Sequence, residues 1–385
     1  MTSTVETDIV QPQSGTNTNL QLKPKGTGAV TISGQAMPTD GGLFTGRNMV
    51  LNSAMNVSQR GTSFTGVAAS AYHLDRFQYN LNGTVGASTV TQQADGPNGF
   101  KNSLKIDVTT ADASLASGDR LTLVYKFEGQ DLQRIKKGTA DAEKLTLSFW
   151  VKATKTGTQI VELFDHDNTR HCAQSYTVSS GDTWEYKTVE YPADATGALD
   201  DDNSNSLSIF FGLACGSDYT SGTLATTWAA NTNANRFVGQ VNNFDSTSNN
   251  WQITGVQLEC GDSATPFEYE SYEESLAKCK RYYTSQGAGV IGYWNGGTNM
   301  EIPFQFFPSM RATPTVAVLN ATPVISNKSN SSTGTQSGMA LVNSSGTANG
   351  FYFVQVDNCD TGTSPSAGHI GQFRTDNFMS FAAEL

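Results

Sequence analysis

Hydrophobic and polar residues alternate in short runs along most of this chain, and this pattern predicts β-strands. In LTLSFWVK every second residue from Leu145 to Val151 would face a core, and SLSIFFGL repeats the pattern from Leu207. GTQIVELF, between them, is a more continuous apolar strand. Gly and Asp turns separate the runs, as they do in two packed antiparallel sheets. We therefore predict an all-β chain in which residues 47–270 form a β-sandwich.

One segment combines a strand with the only convincing helical pattern. In WQITGVQLEC the apolar positions change parity at Gly255, which predicts a strand with a bulge there. Ser271 precedes Glu274 by three residues, a capping box that opens a helix over residues 271–283. The face shared by Leu276, Cys279 and Tyr283 should form a joint, against either the C-terminal domain or the same helix in other subunits.

The two ends of the chain have different patterns. Residues 1–46 are polar at first and then contain NLQLKPKGTGAVTISG, a short predicted hairpin that is too small to be stable without copies of itself or a neighbouring chain. In residues 284–385, MEIPFQFFPSMRATPTVAVLN and FYFVQV predict a second, smaller β-sandwich. The predicted domains are thus residues 1–46, 47–270 and 284–385, with residues 271–283 as a short connecting helix.

Composition narrows the range of partners. The chain has 385 residues, 15% of them charged, and a formal charge of -11. This charge argues against a nucleic-acid or anionic-membrane partner, because phosphate binding needs clustered Lys and Arg. No apolar run reaches the ~18 residues that span a bilayer, so no membrane insertion is expected. The five cysteines lack metal-ligand spacing and should be reduced, mostly buried thiols of a chain assembled in a cytosol.

Two polar clusters could carry metal or acid–base chemistry. Asp165, His166, Asp167 and His171 could form a metal or acid–base site, although such residues on a strand-to-strand turn are usually solvated. DDDNSN at residues 200–205 offers oxygen ligands of the kind calcium uses, but an acidic run is more often a turn. We expect no catalytic residues, no metal ligands and no cofactor, with a structural calcium ion as the alternative.

Aromatic side chains are the better functional lead. Trp150 alternates away from the predicted core, and Tyr293 and Trp294 lie in a predicted glycine-rich turn, GYWNGG. An exposed ring can stack on a sugar while polar neighbours bind its hydroxyl groups. We therefore predict these three residues as ligand-binding. The alternative is that Trp150 packs beneath the other sheet or against another subunit.

Several patches resemble known families. RNMVLNSAMNVSQRGTSF with YHLDRF resembles the opening of jelly-roll modules in bacteriophage tail fibres and related virion proteins. LTLSFWVKATKTGT, DTWEYKTVEYPADATG and VQLECGDSATPFE look like strands of jelly-roll carbohydrate-binding modules. LAKCKRYY, FPSMRATPTV and the terminal FAAEL are similar to the end of many phage tail-fibre proteins.

The resemblance implies a virion protein with a jelly-roll sandwich, assembled in the host cytoplasm and located on the tail. It implies a homotrimeric short tail fibre or spike that contacts other virion tail proteins through its N-terminal segment and a host cell-surface glycan or protein elsewhere. We expect it to be non-enzymatic. A purely architectural virion or decoration protein and a surface-glycan hydrolase are the alternatives.

Overall fold

The computed structural model describes residues 31–32, 35–36 and 46–385, except 297, 321, 330–331, 336–338, 347–350, 358, 360–366 and 375–377. The described chain is nearly all β, which confirms the predicted fold class. Strand β1 (Thr31–Ile32) pairs with β2 (Gln35–Ala36). Residues 19–30 of the predicted hairpin lie outside the described residues.

The first sandwich consists of thirteen strands in two antiparallel sheets. Its elements are β3 Ser63–Val67, β4 Ala71–Tyr72, β5 Phe77–Asn82, β6 Ala87–Gln93, β7 Ser103–Thr110, β8 Arg120–Glu128, β9 Leu145–Ala153, β10 Gly157–Asp165, β11 Arg170–Val178, β12 Glu185–Tyr191, β13 Asn205–Cys215, α1 Ser217–Thr220, β14 Ala229–Ala230 and β15 Asn250–Cys260. The seven-stranded sheet has the order β14-β11-β10-β13-β8-β5-β4, and the six-stranded sheet has the order β12-β9-β15-β7-β6-β3.

The core lies between these two sheets and follows the predicted alternation. Phe149 on β9 meets Tyr176 and Phe211 of the opposite sheet at ring-centroid distances of 5.0 and 5.2 Å. Each large side chain buried in this way stabilises the fold by about 1.5–3 kcal/mol. Strand β10 is buried on both faces because residues 217–249 cover the outer face of its sheet, and this explains its continuous apolar run.

The covering segment is mostly polar, and its contacts with the chain's own sheet hold it in place. Phe237 is fully buried against Ile160 and Phe210. Arg236 forms a fork with the buried Glu162, with Nε 2.8 Å from Oε1 and NH2 2.6 Å from Oε2.

The strand-to-helix segment is folded largely as its sequence predicts. The pairing of β15 with β9 shifts register between Thr254 and Gln257, so the bulge at Gly255 is confirmed. Helix α2 spans Tyr272–Lys280 and begins with the predicted Ser271–Glu274 capping box. It ends before Tyr283, which instead begins a strand. The prediction that Tyr283 shares a helical face with Leu276 is therefore wrong.

The joint between the two sandwiches is polar and mostly buried. Cys279 and Tyr283 are buried there, whereas Leu276 is half-buried. The residue that the sequence analysis missed is Tyr282, whose hydroxyl group lies 2.5 Å from Glu128 Oε1. Arg281 Nε donates to the same oxygen at 2.9 Å, and its NH2 donates to Glu128 Oε2 at 2.7 Å.

Arg76 forms the second half of the joint. Its guanidinium carbon lies 3.5 Å from the centre of the Tyr282 ring, and its NH1 lies 3.0 Å from Glu384 Oε2. Asn203 and Arg311 also exchange hydrogen bonds across the boundary, at 2.6 and 2.8 Å. The C-terminal residues are thus bound to the outer face of the seven-stranded sheet.

The second sandwich is smaller and confirms the predicted strand at FYFVQV. Its strands are β16 Tyr283–Gln286, β17 Ile291–Gly296, β18 Asn299–Gln305, β19 Thr315–Val318, β20 Val324–Asn327, β21 Ser332–Thr335, β22 Ala340–Gly346, β23 Phe351–Asp357, β24 Ile370–Phe373 and β25 Met379–Ala382. They form one sheet of order β16-β25-β19 and another of order β21-β20-β24-β17-β18-β23-β22. Phe381 and Phe304 meet between the sheets at 4.7 Å.

All five cysteines are free, and only Cys260 is partly exposed, so the prediction of mostly buried thiols is confirmed. In the described part of the chain, no helix is long and apolar enough to cross a membrane.

Replacing Arg76 by Met should weaken the joint. The substitution keeps the length of the side chain but leaves Glu384 with Arg60 as its remaining cation, and it removes the donor to the Lys126 carbonyl, which accepts from Arg76 NH2 at 2.5 Å. We expect the free energy of the first unfolding transition in urea to fall by about 3–5 kcal/mol, the usual effect of breaking a buried ion pair. Lys144→Met, which removes an exposed pair with Asp262, is the control and should change it by less than about 0.5 kcal/mol. Equal stabilities for the two variants would contradict this view of the joint.

Candidate functional site

The outer face of the six-stranded sheet carries the predicted ligand-binding residue Trp150. Because neighbouring residues of a strand point to opposite faces, Phe149 enters the core and Trp150 points outward. Trp150 is half-buried, and its ring lies 5.3 Å from the ring of Tyr186, its cross-strand partner on β12. Tyr186 is 45% exposed.

Three more aromatic residues continue this surface. Phe100, from the loop between β6 and β7, lies 4.8 Å from Phe267 and 5.6 Å from Tyr269, which follow β15. Tyr269 is 62% exposed, and the other two rings are half-buried. We call Tyr186, Trp150, Phe100, Phe267 and Tyr269 the aromatic strip.

Gly255 allows the two halves of the aromatic strip to meet. A Cβ atom at this position would lie 2.7 Å from Phe100 Cζ and 3.2 Å from Trp150 Cδ1. Gly255 also has a φ of +61°, in the left-handed region where glycine carries no steric penalty. The bulge predicted from sequence is therefore also the point where the rings of Phe100 and Trp150 come together.

Polar groups border the aromatic strip. Asp95 accepts hydrogen bonds from Lys152 Nζ at 2.9 Å and from Trp184 Nε1 at 3.3 Å. The hydrogen bond from Lys152 lowers the pKa of the Asp95 carboxyl, so the group is an ionised hydrogen-bond acceptor at neutral pH. Thr254 pairs across strands with Trp150, and its buried hydroxyl has no hydrogen-bond partner within the structure. Partly exposed rings beside hydrogen-bonding groups can bind a ligand that has apolar faces and hydroxyl edges.

Tyr293 and Trp294 lie in strand β17 rather than in a turn, and the alternation of the strand separates them. Tyr293 is 39% exposed, and its hydroxyl donates to Glu301, which also accepts from Asn295 Nδ2 at 2.7 Å. These two hydrogen bonds lower the pKa of the Glu301 carboxyl. Trp294 is fully buried and donates from Nε1 to the Cys359 carbonyl at 2.8 Å. Its prediction as a ligand-binding residue is therefore wrong, because it belongs to the core.

The Asp165–His171 cluster does not converge on one site. His166 Nε2 lies 2.9 Å from Ser208 Oγ, whereas His171 Nδ1 lies 2.8 Å from Glu162 Oε1. Burial lowers the pKa of His166 to about 4. Asp165 is fully buried and pairs with Lys137. Within the described residues, no group of three or more His, Cys, Asp or Glu is arranged to hold a metal ion.

The acidic run at residues 200–205 forms an exposed turn. Asp202 Oδ1 accepts from the Ser204 backbone at 2.8 Å, and the Asp200 backbone donates to Asp167 Oδ2 at 2.9 Å. Asn203 contacts Arg311 at the joint. The side chains of this run thus bind their own turn and its neighbours.

Much of the aromatic strip could not be recognised from sequence. Trp150 was predicted, and for Tyr186 the sequence offers one signal, its alternation with the buried Val189 and Tyr191 in DTWEYKTVEYP. Phe100 and Phe267 lie in loops without periodicity, and only the folding of both loops over β15 brings them together.

No protein-family model matches the sequence, and no curated protein matches it significantly. Solved structures with similar folds include the enzymatically active domain of tailspike protein 4 of bacteriophage CBA120, with 14% identity and a TM-score of 0.28. The similarity covers 48% of this chain and 19% of that domain, so the chain spans about a fifth of its length.

Two further similar structures are described as sugar- or carbohydrate-binding proteins. A proposed sugar-binding protein from Bacteroides thetaiotaomicron has 12% identity and a TM-score of 0.31, over 56% of this chain and all of that protein. A carbohydrate-binding module, CBM4, has 15% identity and a TM-score of 0.24, over 48% of this chain and 94% of the module. At these scores the similarities assign neither a ligand nor a function.

Replacing Gly255 by Ala should separate the halves of the aromatic strip. The new methyl group displaces Phe100, and the left-handed backbone adds strain, so we expect a loss of about 1–3 kcal/mol in unfolding free energy. The near-UV circular dichroism of the rings should change as well. Gly66→Ala is a matched control, with a φ of +65° and no atom within 4 Å of its Cβ position. If both variants lose the same stability and keep the same spectrum, the contact at Gly255 is unimportant.

Proposed function

We propose that this protein is a virion structural protein, a short tail fibre or spike, that attaches to a host cell-surface glycan through the aromatic strip. The observation that carries the proposal is the strip itself, with two exposed tyrosines at its ends and half-buried rings between them. The packing of the half-buried rings against one another holds them in place before a ligand arrives, which reduces the entropy that binding costs. The virion role is supported by the resemblance of the terminal patches to phage tail-fibre proteins.

A binding role suits the strip better than hydrolysis. Glycoside hydrolysis needs a carboxylic acid with a raised pKa as proton donor. The carboxyl group of Asp95, which borders the strip, instead has a lowered pKa and an ion-pair partner in Lys152. The protein would therefore hold its glycan without cleaving it, and release of reducing sugar from host polysaccharide would favour the hydrolase alternative.

Binding to purified surface polysaccharides of a sensitive host tests the role of the strip. In the full-length chain, Trp150→Ala and Tyr186→Ala should each weaken binding by about tenfold, because each removes a stacking surface worth about 1.4 kcal/mol. Tyr272→Ala is the control, since Tyr272 is 55% exposed on helix α2 and lies outside the strip. Undiminished binding by both strip variants would contradict the proposed site.

A purely architectural role is the second candidate, and the second sandwich favours it. Tyr293 pairs across strands with Ile370, and Ile291 lies two residues before Tyr293 on the same face. Tyr293 pairs with Glu301, and Glu301 pairs with Gln355, so Gln355 lies on this face as well. Phe353 is two residues before Gln355 on the same strand and therefore shares the face. The four hydrophobic side chains, those of Ile291, Tyr293, Phe353 and Ile370, are 39–55% exposed. Exposed apolar faces of this kind are typical of protein–protein contacts.

The homotrimer predicted from sequence would use such a face. We expect native mass spectrometry at micromolar concentration to give the mass of three chains. Introducing charge with Ile291→Lys and Phe353→Lys should shift the mass to one chain, since a buried unpaired ammonium disfavours association. The matched change Tyr272→Lys should leave the trimer intact. A monomeric wild-type chain would contradict the trimer.

A further inference from the structure

The ammonium group of Lys137 lies inside a cage of oxygen atoms. Its Nζ is 2.5 Å from Asp165 Oδ2 and 3.0 Å from Asp194 Oδ2. The carbonyl oxygens of Thr196 and Gly197 accept from the same Nζ at 3.0 and 2.9 Å. The side chains of Lys137, Asp165 and Asp194 are 3, 0 and 6% exposed. Two carboxylates and two carbonyls thus surround one buried positive charge.

The backbone is shaped around this cage. Gly138 has a φ of +83°, and a Cβ there would lie 2.4 Å from the backbone nitrogen of Ala198. Gly197 has a φ of +76°, and its Cβ would lie 2.7 Å from Asn168 Cγ. Only glycine allows both approaches without a clash. These contacts bring the carbonyls of residues 196–197 close to Lys137 Nζ.

Other groups hold the two carboxylates in place. Asn168 Nδ2 donates to both oxygens of Asp165, at 3.2 and 3.1 Å. Arg170 binds Asp194 through Nε and NH2, at 3.0 and 3.1 Å. The Trp228 ring closes the cage, with its centre 4.9 Å from Lys137 Nζ. The positions of the carboxylates therefore do not depend on Lys137 alone.

This arrangement has the chemistry of a site for a hard cation. Calcium binds carboxylate and carbonyl oxygens in flexible geometry, with water completing its six to eight ligands. We propose that Lys137 is a tethered cation that occupies a latent calcium site, so that the native chain needs no metal here and loss of the lysine side chain creates calcium binding. The ammonium group of Lys137 already occupies the position of a bound cation, because four oxygens of the cage surround it.

Water can reach the cage once the side chain is shortened. A pocket of about 400 Å³ lies beside it, lined in part by Lys136, Lys137 and Ala198. Water molecules in this pocket would provide the remaining ligands of the calcium ion. Magnesium should bind less well, because it requires near-ideal octahedral geometry at shorter distances.

The experiment compares thermal unfolding of the full-length chain and three variants in excess EDTA and in millimolar calcium. Wild type should unfold at the same temperature in both. Lys137→Ala should unfold earlier in EDTA and recover by about 5–10 °C in calcium, the shift that saturation gives a domain of about 200 residues. Calorimetry of this variant should give one calcium ion per chain and weaker binding of magnesium.

Two control variants distinguish the effect of removing the lysine charge from the effect of opening space for an ion. Lys137→Met removes the charge but fills the space, so it should unfold earlier and not respond to calcium. Lys136→Ala removes the neighbouring exposed lysine, which pairs with Glu143, and should behave as wild type. A folded Lys137→Ala without a calcium response would overturn the proposal, as would a wild type that is destabilised by EDTA. If Lys137→Ala is insoluble, refolding it only with calcium supports the proposal, and failure to refold in either condition overturns it.

Discussion

Three carboxylates buried in the seven-stranded sheet determine how the rest of the chain is arranged. A buried carboxylate without a positive partner costs several kcal/mol, so each must meet a cation as the chain folds. None of the three partners lies on the same strand as its carboxylate. Glu162 pairs with Arg236, Glu128 with Arg281 and Asp165 with Lys137.

These three pairs explain why one side of the first sandwich is covered. Arg236 binds Glu162 and so holds the segment of residues 217–249 over the sheet. Arg281 binds Glu128, the last residue of strand β8, and so holds the second sandwich there. Lys137 binds the loop of residues 194–197 to the end of β10. The outer face of this sheet is therefore occupied by the chain itself. The outer face of the other sheet keeps its exposed rings, and this is where we place ligand binding.

The aromatic strip and the cage share a physical feature, since both depend on left-handed glycines at points of close approach. Gly255 brings Phe100 to Trp150, and Gly138 and Gly197 bring backbone carbonyls to Lys137. A side chain at any of these positions would both strain the backbone and meet a neighbouring atom. Such glycines are visible in a sequence, but the groups that they bring together are not.

Local sequence patterns were sufficient to predict the elements whose causes are local. Alternation predicted the strands and the outward direction of Trp150, the change of parity at Gly255 predicted the bulge, and Ser271 with Glu274 predicted the start of the helix. Which of the outward positions are exposed depends instead on contacts between segments that are distant in sequence. Trp150 remains half-exposed beside Tyr186, whereas Trp294, a similar tryptophan in a predicted surface turn, is buried in a strand that points it inward. The contacts of Lys137, Arg76 and Tyr282 were equally hidden, because their partners come from segments remote in sequence and no local pattern records such pairings.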